Sequence, residues 1–176
     1  AQWLGAEGYA TAGSAARREA LRALGGRHVF GSRTLAFAEE VWAATRDEGV
    51  DVVLNSLAGE AIPAGLALLR PRGRFVELGK RDIYAHRSVG LYALRRNLAL
   101  AVVDLASLAA QTPEFAGELL AEVLALVEQG ALWPLPHESF ALADAASALA
   151  GALRVVFLAA VALGAASFAA ALGAAF

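Results

Sequence analysis

The chain has 176 residues, 58% of them hydrophobic, and a formal net charge of −2 at pH 7. This length and composition allow one substantial core, so we expect one domain or most of one, and the weak negative charge gives no electrostatic basis for binding nucleic acid. Cysteine is absent, which excludes disulfides, and the three histidines (His28, His86 and His137) lack the spacing of zinc ligands.

Apolar runs that alternate with helical patterns predict an α/β fold. In chain order, the predicted strands are 8–12, 28–30, 50–54, 74–78 and 98–103. The predicted helices are 15–24, 35–45, 60–69, 112–129 and 141–152, with an irregular basic segment at 81–97 and an extended one at 133–136. Strands joined by helix-length crossovers lie parallel. The order therefore predicts a Rossmann-like parallel sheet flanked by helices, truncated so that its first strand is missing.

The two ends of the chain have unusual sequences. No methionine opens it and residues 1–7 read as the end of a helix, so we expect a piece of a longer protein; no signal-type segment opens it either, which favours the cytoplasm. Residues 155–176 carry no charge and are long enough to cross a bilayer. Because Ala and Gly fill twelve of these 22 positions and no interfacial anchors flank them, we favour a closing strand at 155–158 and an Ala-rich end over a membrane anchor.

The stretch 50–80 indicates where a ligand binds. It reads as a strand, a helix, a break at Pro71-Arg72-Gly73 and a second strand. In open α/β sheets, ligands bind beyond the carboxyl ends of the strands. Asn55-Ser56 and Gly79-Lys80 each follow a strand, so we expect them on the same rim of the sheet.

Five segments together resemble a known family. They are AQWLGAE, YATAGSAARREALRALG, HVFGSRTLAFAEEV, GVDVVLNSLAGEAIPAGLALLRPRGRFVELGKRDIY and GALWPLPHESFAL. The chain resembles, over roughly residues 1–150, the enoylreductase domain of modular polyketide synthases, which belongs to the zinc-lacking medium-chain dehydrogenase/reductase group. The resemblance implies NADPH-dependent reduction of the carbon-carbon double bond of an enoyl thioester on an acyl carrier protein, with other domains of the same synthase as partners.

The sequence also departs from that family. A glycine-rich turn of the GGVG type, which wraps the cofactor pyrophosphate, and the upstream substrate half with its tyrosine are not in this sequence. Around Gly151 the match ends, and an apolar tail at 151–176 replaces the family's Q-A-R-H-x-G-K segment. We therefore interpret residues 1–150 as a partial NADPH-binding half and expect the isolated chain to be inactive.

The end of the second strand of such a sheet selects between NAD and NADP. An acid there binds the ribose hydroxyl of NAD, whereas cations bind the 2′-phosphate of NADP. Residues 11–14 contain no acid, and Arg17 and Arg18 follow. By resemblance, Arg17 stands where the family commonly has lysine, and Ser14, Ser32 and Arg33 complete the phosphate pocket. The structural alternatives are a helix N-cap for Ser14, a solvated helix face for Arg17 and Arg18, and a loop charge for Arg33.

The rim residues have both binding and structural interpretations. Asn55, Ser56 and Leu57 are expected near the nicotinamide ribose, although an Asx turn that closes the strand is the alternative for Asn55. Gly79 allows close approach of the cofactor to the backbone, or is a plain turn glycine. Asp82 is expected to cap the turn after Lys80.

Lys80 and Asp104 are the candidate catalytic residues. Hydride delivery to the β-carbon creates enolate character on the thioester, so the site needs a cation for that oxygen and a proton for the α-carbon. By resemblance, Lys80 matches the lysine of the family's GK-x-D-I motif and Asp104 the aspartate of its F/V-D-L motif, where Asp104 would orient Lys80. The alternative is a surface ion pair.

Two other functions remain open. A quinone-oxidoreductase-like enzyme would share the fold and the NADPH pocket but reduce a free small molecule. A truncated, non-catalytic fragment is the other possibility, because the glycine-rich turn is missing.

Overall fold

The computed structural model describes residues 1–133. It divides into two compact units, one from Ala1 to Asp104 and one that begins at Leu105. The helix predicted at 141–152, the tail at 151–176 and most of the extended segment at 133–136 lie outside the described residues.

The first unit alternates strands and helices as the sequence predicts. Its strands are β1 (Tyr9–Ala12), β2 (His28–Gly31), β3 (Val50–Asn55), β4 (Leu69–Glu77) and β5 (Ala99–Val102). Its helices are α1 (Ala15–Ala23), α2 (Ala36–Ala44), α3 (Ala61–Leu68) and α4 (Arg81–Tyr84), with 3-10 turns at Gln2–Leu4 and Leu91–Arg96. Short helical turns thus occupy part of the segment 81–97, which the sequence predicts to be irregular.

All described strand pairs are parallel, but the strands form two sheets. β1 pairs with β2, and β4 lies between β3 and β5. In the doubly wound order 3-2-1-4-5-6, the first strand separates the second from the fourth. The pair β1–β2 corresponds to strands 2 and 3 of that order, and β3–β5 to strands 4 to 6. The division therefore falls where a first strand would join the two sheets.

Helix α3 ends before the predicted break at 71–73, as the sequence predicts, and the break itself is an irregularity within β4. Pairing with β3 begins with Leu69 opposite Val50 and resumes with Arg74 opposite Val52, with a shift of register between them. Arg72 has a positive φ of 67°. The predicted start of this strand at residue 74 is wrong, because β4 already begins at Leu69 and a β-bulge absorbs the extra residues.

Helices α2 and α3 pack against strands of both sheets. One cluster joins Phe37 and Val41 of α2 to residues of α3, and Tyr9 of β1 and Val50 of β3 pack against it. The predicted buried face of α2 is confirmed for Phe37 and Val41. A second cluster lies between α3 and β4, and contains Ile62, Leu66, Leu69 and Phe75. Full burial of each such side chain contributes about 1.5–3 kcal/mol.

The second unit contains α5 (Leu105–Gln111) and α6 (Pro113–Glu128) among the residues described. Pro113 opens α6 and Gly130, with a φ of 72°, follows its end, as the sequence predicts. The helical period predicts a buried stripe of Phe115, Leu119 and Val123 in α6. Val123 is buried, but the prediction is wrong for Phe115, which lies in the first turn and is 38% exposed. Within residues 1–133, no helix combines the length and the apolar character that crossing a membrane requires.

Candidate active site at the carboxyl ends of the strands

The carboxyl ends of β3, β4 and β5 lie side by side. Asn55 pairs with Glu77, and Glu77 pairs with Val102. The pairing continues past the strands: the Leu78 N–H donates to the Asn55 carbonyl at 2.8 Å, and the Val103 N–H donates to the Glu77 carbonyl at 2.9 Å. The turns that follow the three strands are therefore fixed next to one another.

Lys80 and Asp104 occupy two of these turns and form an ion pair. The contact expected from the sequence is thus present. The Asp104 side chain is 21% exposed and that of Lys80 is 45% exposed, so the pair is open to solvent on the lysine side. In this position the Lys80 ammonium group can contact a bound molecule while it remains paired with the Asp104 carboxylate.

Tyr84 is a further member of this group that the sequence reasoning missed. Its hydroxyl donates to Oδ2 of Asp104 at 2.9 Å, whereas Lys80 contacts Oδ1. Hydrogen bonding to the Asp104 carboxylate raises the pKa of Tyr84, so the phenol keeps its proton. The available signal was spacing: Tyr84 follows Lys80 by four residues, which places both on one side of the short helix α4.

Asn55 closes the turn after β3. Its Nδ2 donates to the Leu57 carbonyl at 2.6 Å, and the Leu57 N–H donates to Asn55 Oδ1 at 3.2 Å. This is the Asx-type turn that was the structural alternative for Asn55. The turn holds Ser56 and Leu57, both half-buried, at the rim. A binding role for these three residues is compatible with the turn and stays a prediction.

Glu77, a second residue that sequence reasoning missed, is a carboxylate that is only 4% exposed. Its Oε2 accepts a hydrogen bond from Asn55 Nδ2 at 2.6 Å, and its Oε1 accepts from the Gly79 N–H at 2.5 Å. Burial raises the pKa of Glu77, although both hydrogen bonds oppose the shift. The signal in the sequence was a single acid within the apolar run from Phe75 to Leu78.

The Glu77 carboxylate gives a structural reason for glycine at position 79. A Cβ atom built on Gly79 would lie 2.6 Å from Glu77 Oε1. A side chain here would therefore break the hydrogen bond between the Gly79 N–H and Glu77. This is a structural reason for glycine, and the close approach of a cofactor stays a prediction.

Asp82 joins the turns after β3 and β4. Its Oδ2 accepts from the Gly59 N–H at 2.5 Å, and this hydrogen bond lowers the pKa of Asp82. The expectation that Asp82 caps the turn after Lys80 is wrong, because the partner is 23 residues away in sequence. An ion pair between Arg87 and Glu60 links the same two segments. Both contacts fix the turn that carries Lys80.

A second group of predicted residues lies at the carboxyl ends of β1 and β2. Arg33 donates from Nε to the Gly13 carbonyl at 3.1 Å. A Cβ atom built on Gly13 would lie 3.0 Å from Arg33 Nε and 3.6 Å from Ser32 Oγ. The structure therefore brings Ser32 and Arg33 against the turn that precedes α1.

Ser14 and the two arginines of α1 differ in their contacts. Ser14 caps α1, since its Oγ accepts from the Arg17 N–H at 3.3 Å. Arg18 donates to the Ala12 carbonyl at 3.2 Å and so supports the end of β1. The Arg17 side chain is exposed, and within residues 1–133 it forms no ion pair. Arg17 is thus the better placed of the two arginines to bind an anion.

Comparison with known proteins places the chain in a family. A family model described as zinc-binding dehydrogenase matches residues 24–152. The chain is 50% identical over 146 residues to the phthioceranic/hydroxyphthioceranic acid synthase of Mycobacterium tuberculosis, an alignment that covers 82% of this chain and 7% of that protein. It is 48% identical to the nucleotide-binding subdomain of the enoylreductase domain of PpsC from Mycobacterium tuberculosis, with a TM-score of 0.69 and coverage of 74% of this chain and 73% of that one.

The chain belongs to the enoylreductase domains of polyketide synthases, within the zinc-binding dehydrogenase family. The CurK enoyl reductase is also similar, with 42% identity, a TM-score of 0.67 and coverage of 81% of this chain and 42% of that one. The resemblance predicted from the sequence motifs is confirmed. This chain spans about 7% of the length of the curated synthases that it matches.

The family's description mentions zinc, but the enoylreductase residues described here do not fit a zinc site. Within residues 1–133, no group of three or more His, Cys, Asp or Glu side chains is arranged to hold a metal ion. The chain also lacks cysteine.

Proposed function

We propose that this chain is the NADPH-binding part of an enoylreductase domain that reduces the α,β double bond of an enoyl thioester on an acyl carrier protein during polyketide chain extension. The ion pair between Lys80 and Asp104 carries the proposal, because it provides a cation beside the end of β4, at the rim where a ligand binds in such sheets. The whole synthase would supply the substrate half and the carrier protein.

The donor set at the ends of β1 and β2 fits a phosphorylated dinucleotide. Ser14, Ser32 and Arg33 offer hydroxyl and guanidinium donors, and exposed Arg17 adds a second cation. Residues 11–14, at the end of β1, contain no acid, whereas an NAD site would need one there for the ribose hydroxyl. These residues would hold the 2′-phosphate, and Asn55, Ser56, Leu57 and Gly79 would line the nicotinamide end.

The chemistry follows from where charge develops. NADPH, when bound, would supply the hydride that reaches the β-carbon. The Lys80 ammonium would hydrogen-bond the thioester oxygen as it gains negative charge, and would give a proton to the α-carbon. The ion pair with Asp104 would hold the Lys80 ammonium group at the rim.

Titration of this chain with NADPH and NADH, followed by nicotinamide fluorescence, tests the cofactor assignment. We expect tighter binding of NADPH. Equal affinities would refute the phosphate pocket, and no binding of either nucleotide would favour the non-catalytic fragment.

The substrate class needs a second assay, with the chain joined to the substrate half of the domain. A crotonyl thioester on an acyl carrier protein and a free quinone are offered in parallel, and NADPH oxidation is recorded. We expect reduction of the carrier-bound enoyl group. Faster reduction of the free quinone would support the quinone-oxidoreductase-like alternative.

A further inference from the structure

Glu77 combines deep burial with two hydrogen bonds to different turns. One of its carboxylate oxygens accepts a hydrogen bond from Asn55 Nδ2, and the other accepts one from the Gly79 N–H. Its own carbonyl accepts from the Val103 N–H, next to Asp104. One residue therefore contacts the turn after β3, the turn after β4 and the end of β5.

Burial of the Glu77 carboxylate is energetically unfavourable. A buried charge is normally paired with a cation, because its removal from water is unfavourable. Within residues 1–133, no Lys, Arg or His nitrogen lies at ion-pair distance from Glu77. Packing alone does not explain an acid here, since Gln has nearly the same size without the charge.

The geometry of the donors explains why a carboxylate is required. Asn55 Nδ2 and the Gly79 N–H approach different oxygens, so the side chain must accept at both ends. Glutamine has one accepting oxygen and one NH₂ group, which would face a donor. Asn55 cannot rotate its amide to compensate without losing its two contacts to Leu57.

We infer that Glu77 is a positioning residue for the nicotinamide end of the site. It fixes the position of the Asn55–Leu57 turn relative to the Gly79–Lys80 turn. The inference rests on the proposed function only for the identity of the ligand. Glu77 acts through Asn55 and Gly79 and does not itself contact the cofactor or the substrate.

The test exchanges the hydrogen-bond polarity between two side chains. Glu77→Gln leaves two donors facing each other. The double variant combines Glu77→Gln with Asn55→Asp. Its introduced glutamine can accept from the Gly79 N–H and donate to the introduced aspartate, which still accepts from the Leu57 N–H. The aspartate cannot donate to the Leu57 carbonyl, so that one contact is lost. Glu48→Gln is the matched control, because Glu48 precedes β3 at its other end and is an exposed partner of Arg70.

Two measurements are made on the full chain: amide hydrogen exchange at Leu57 and Gly79 without nucleotide, and NADPH affinity by fluorescence. For Glu77→Gln we expect faster exchange at both amides and at least tenfold weaker NADPH binding. The double variant should recover the slow exchange at Gly79, whose N–H again has an acceptor, and only part of the NADPH affinity, because residue 55 no longer donates to the Leu57 carbonyl. Glu48→Gln should match the wild type.

Rescue separates positioning from a general loss of stability. Wild-type exchange and affinity in Glu77→Gln, or a Gly79 amide that exchanges as fast in the double variant as in that single variant, would overturn the inference. If the wild-type chain bound no dinucleotide, the proposed function would fail, and the exchange rates would still decide whether Glu77 holds the two turns.

Discussion

Lys80 and Asp104, 24 residues apart in sequence, form an ion pair between the turns that follow the adjacent strands β4 and β5. The parallel pairing of these strands brings their carboxyl ends to one edge. The second oxygen of Asp104 accepts from Tyr84, so one carboxylate holds both a cation and a phenol. This arrangement explains how an exposed lysine keeps a defined position.

Removal of the Lys80 charge should abolish most of the reductase activity. In the complete enoylreductase domain, we expect Lys80→Gln to lower the rate of enoyl reduction by about 10²- to 10⁴-fold, the usual contribution of a positioned acid. NADPH affinity should change little, since Lys80 is assigned to the substrate side. The control is Arg70→Gln, which removes a cation paired with Glu48 and Asp51 elsewhere on the sheet. A normal rate in Lys80→Gln would refute the catalytic assignment.

The Tyr84 hydroxyl should matter through Asp104. The hydroxyl helps to hold the Asp104 carboxylate beside Lys80, so Tyr84→Phe is expected to lower kcat severalfold. The variant keeps the ring, and Tyr92→Phe is the matched control because that ring is exposed and stacks on Arg95. Steady-state kinetics at saturating NADPH measure kcat for both variants. Equal kcat values for the two variants would show that the Tyr84 hydroxyl is not needed.

Arg33 should decide between NADPH and NADH. Loss of a charge-assisted contact with the 2′-phosphate costs about 1.5–3 kcal/mol, so Arg33→Ala should weaken NADPH binding by roughly 10- to 100-fold. NADH binding should not change, since NADH lacks that phosphate. Arg22→Ala removes an exposed arginine that pairs with Glu19 and provides the control. An equal loss for both nucleotides would indicate a structural role for Arg33.

Asp82 should make stability depend on acid pH. Its pKa is lowered in the folded state by the Gly59 N–H, so its contribution is present above the unfolded pKa of about 4 and is lost as the pH falls through the lower folded value. Asp82→Asn should therefore be less stable than the wild type at pH 7, with a smaller difference at pH 3.

Urea unfolding at the two pH values measures this difference, with Asp51→Asn as an exposed control. Burial raises the pKa of Glu77, which makes its contribution to stability increase as the pH falls. The comparison with the wild type removes this opposite effect. A constant difference between Asp82→Asn and the wild type would exclude the proposed linkage.

Two glycines in helices should respond oppositely to alanine. In α3, a Cβ atom on Gly65 would lie 2.9 Å from Phe75 Cε2, so Gly65→Ala should destabilise the fold by about 1–3 kcal/mol. In α6, no atom of the described residues 1–133 lies within 4 Å of a Cβ atom on Gly117, and Gly117→Ala should stabilise by up to about 1 kcal/mol. Denaturant unfolding compares the two variants. Stabilisation by Gly65→Ala would show that α3 and β4 are not packed as described.

Local patterns account for what could be predicted about the site. Ser14 was recognised as an N-cap candidate and Asn55 as a turn residue because both act on backbone groups within three positions. Gly79 and Lys80 were placed on the rim because they follow a strand. Among the residues that sequence reasoning missed or misassigned, Glu77 and Asp82 bind partners more than 20 positions away, and Tyr84 binds one 20 positions away.

The sequence by itself determined the alternation of strands and helices, the parallel sheet and the family, since these depend on hydrophobic periodicity and on motifs that are continuous along the chain. Tertiary structure alone decided the division into two sheets, the bulge in β4 and the hydrogen bonds that Glu77 and Tyr84 form at the rim. The physical reason is that strand pairing brings distant residues to one edge, and which donor meets which acceptor there depends on register and side-chain direction.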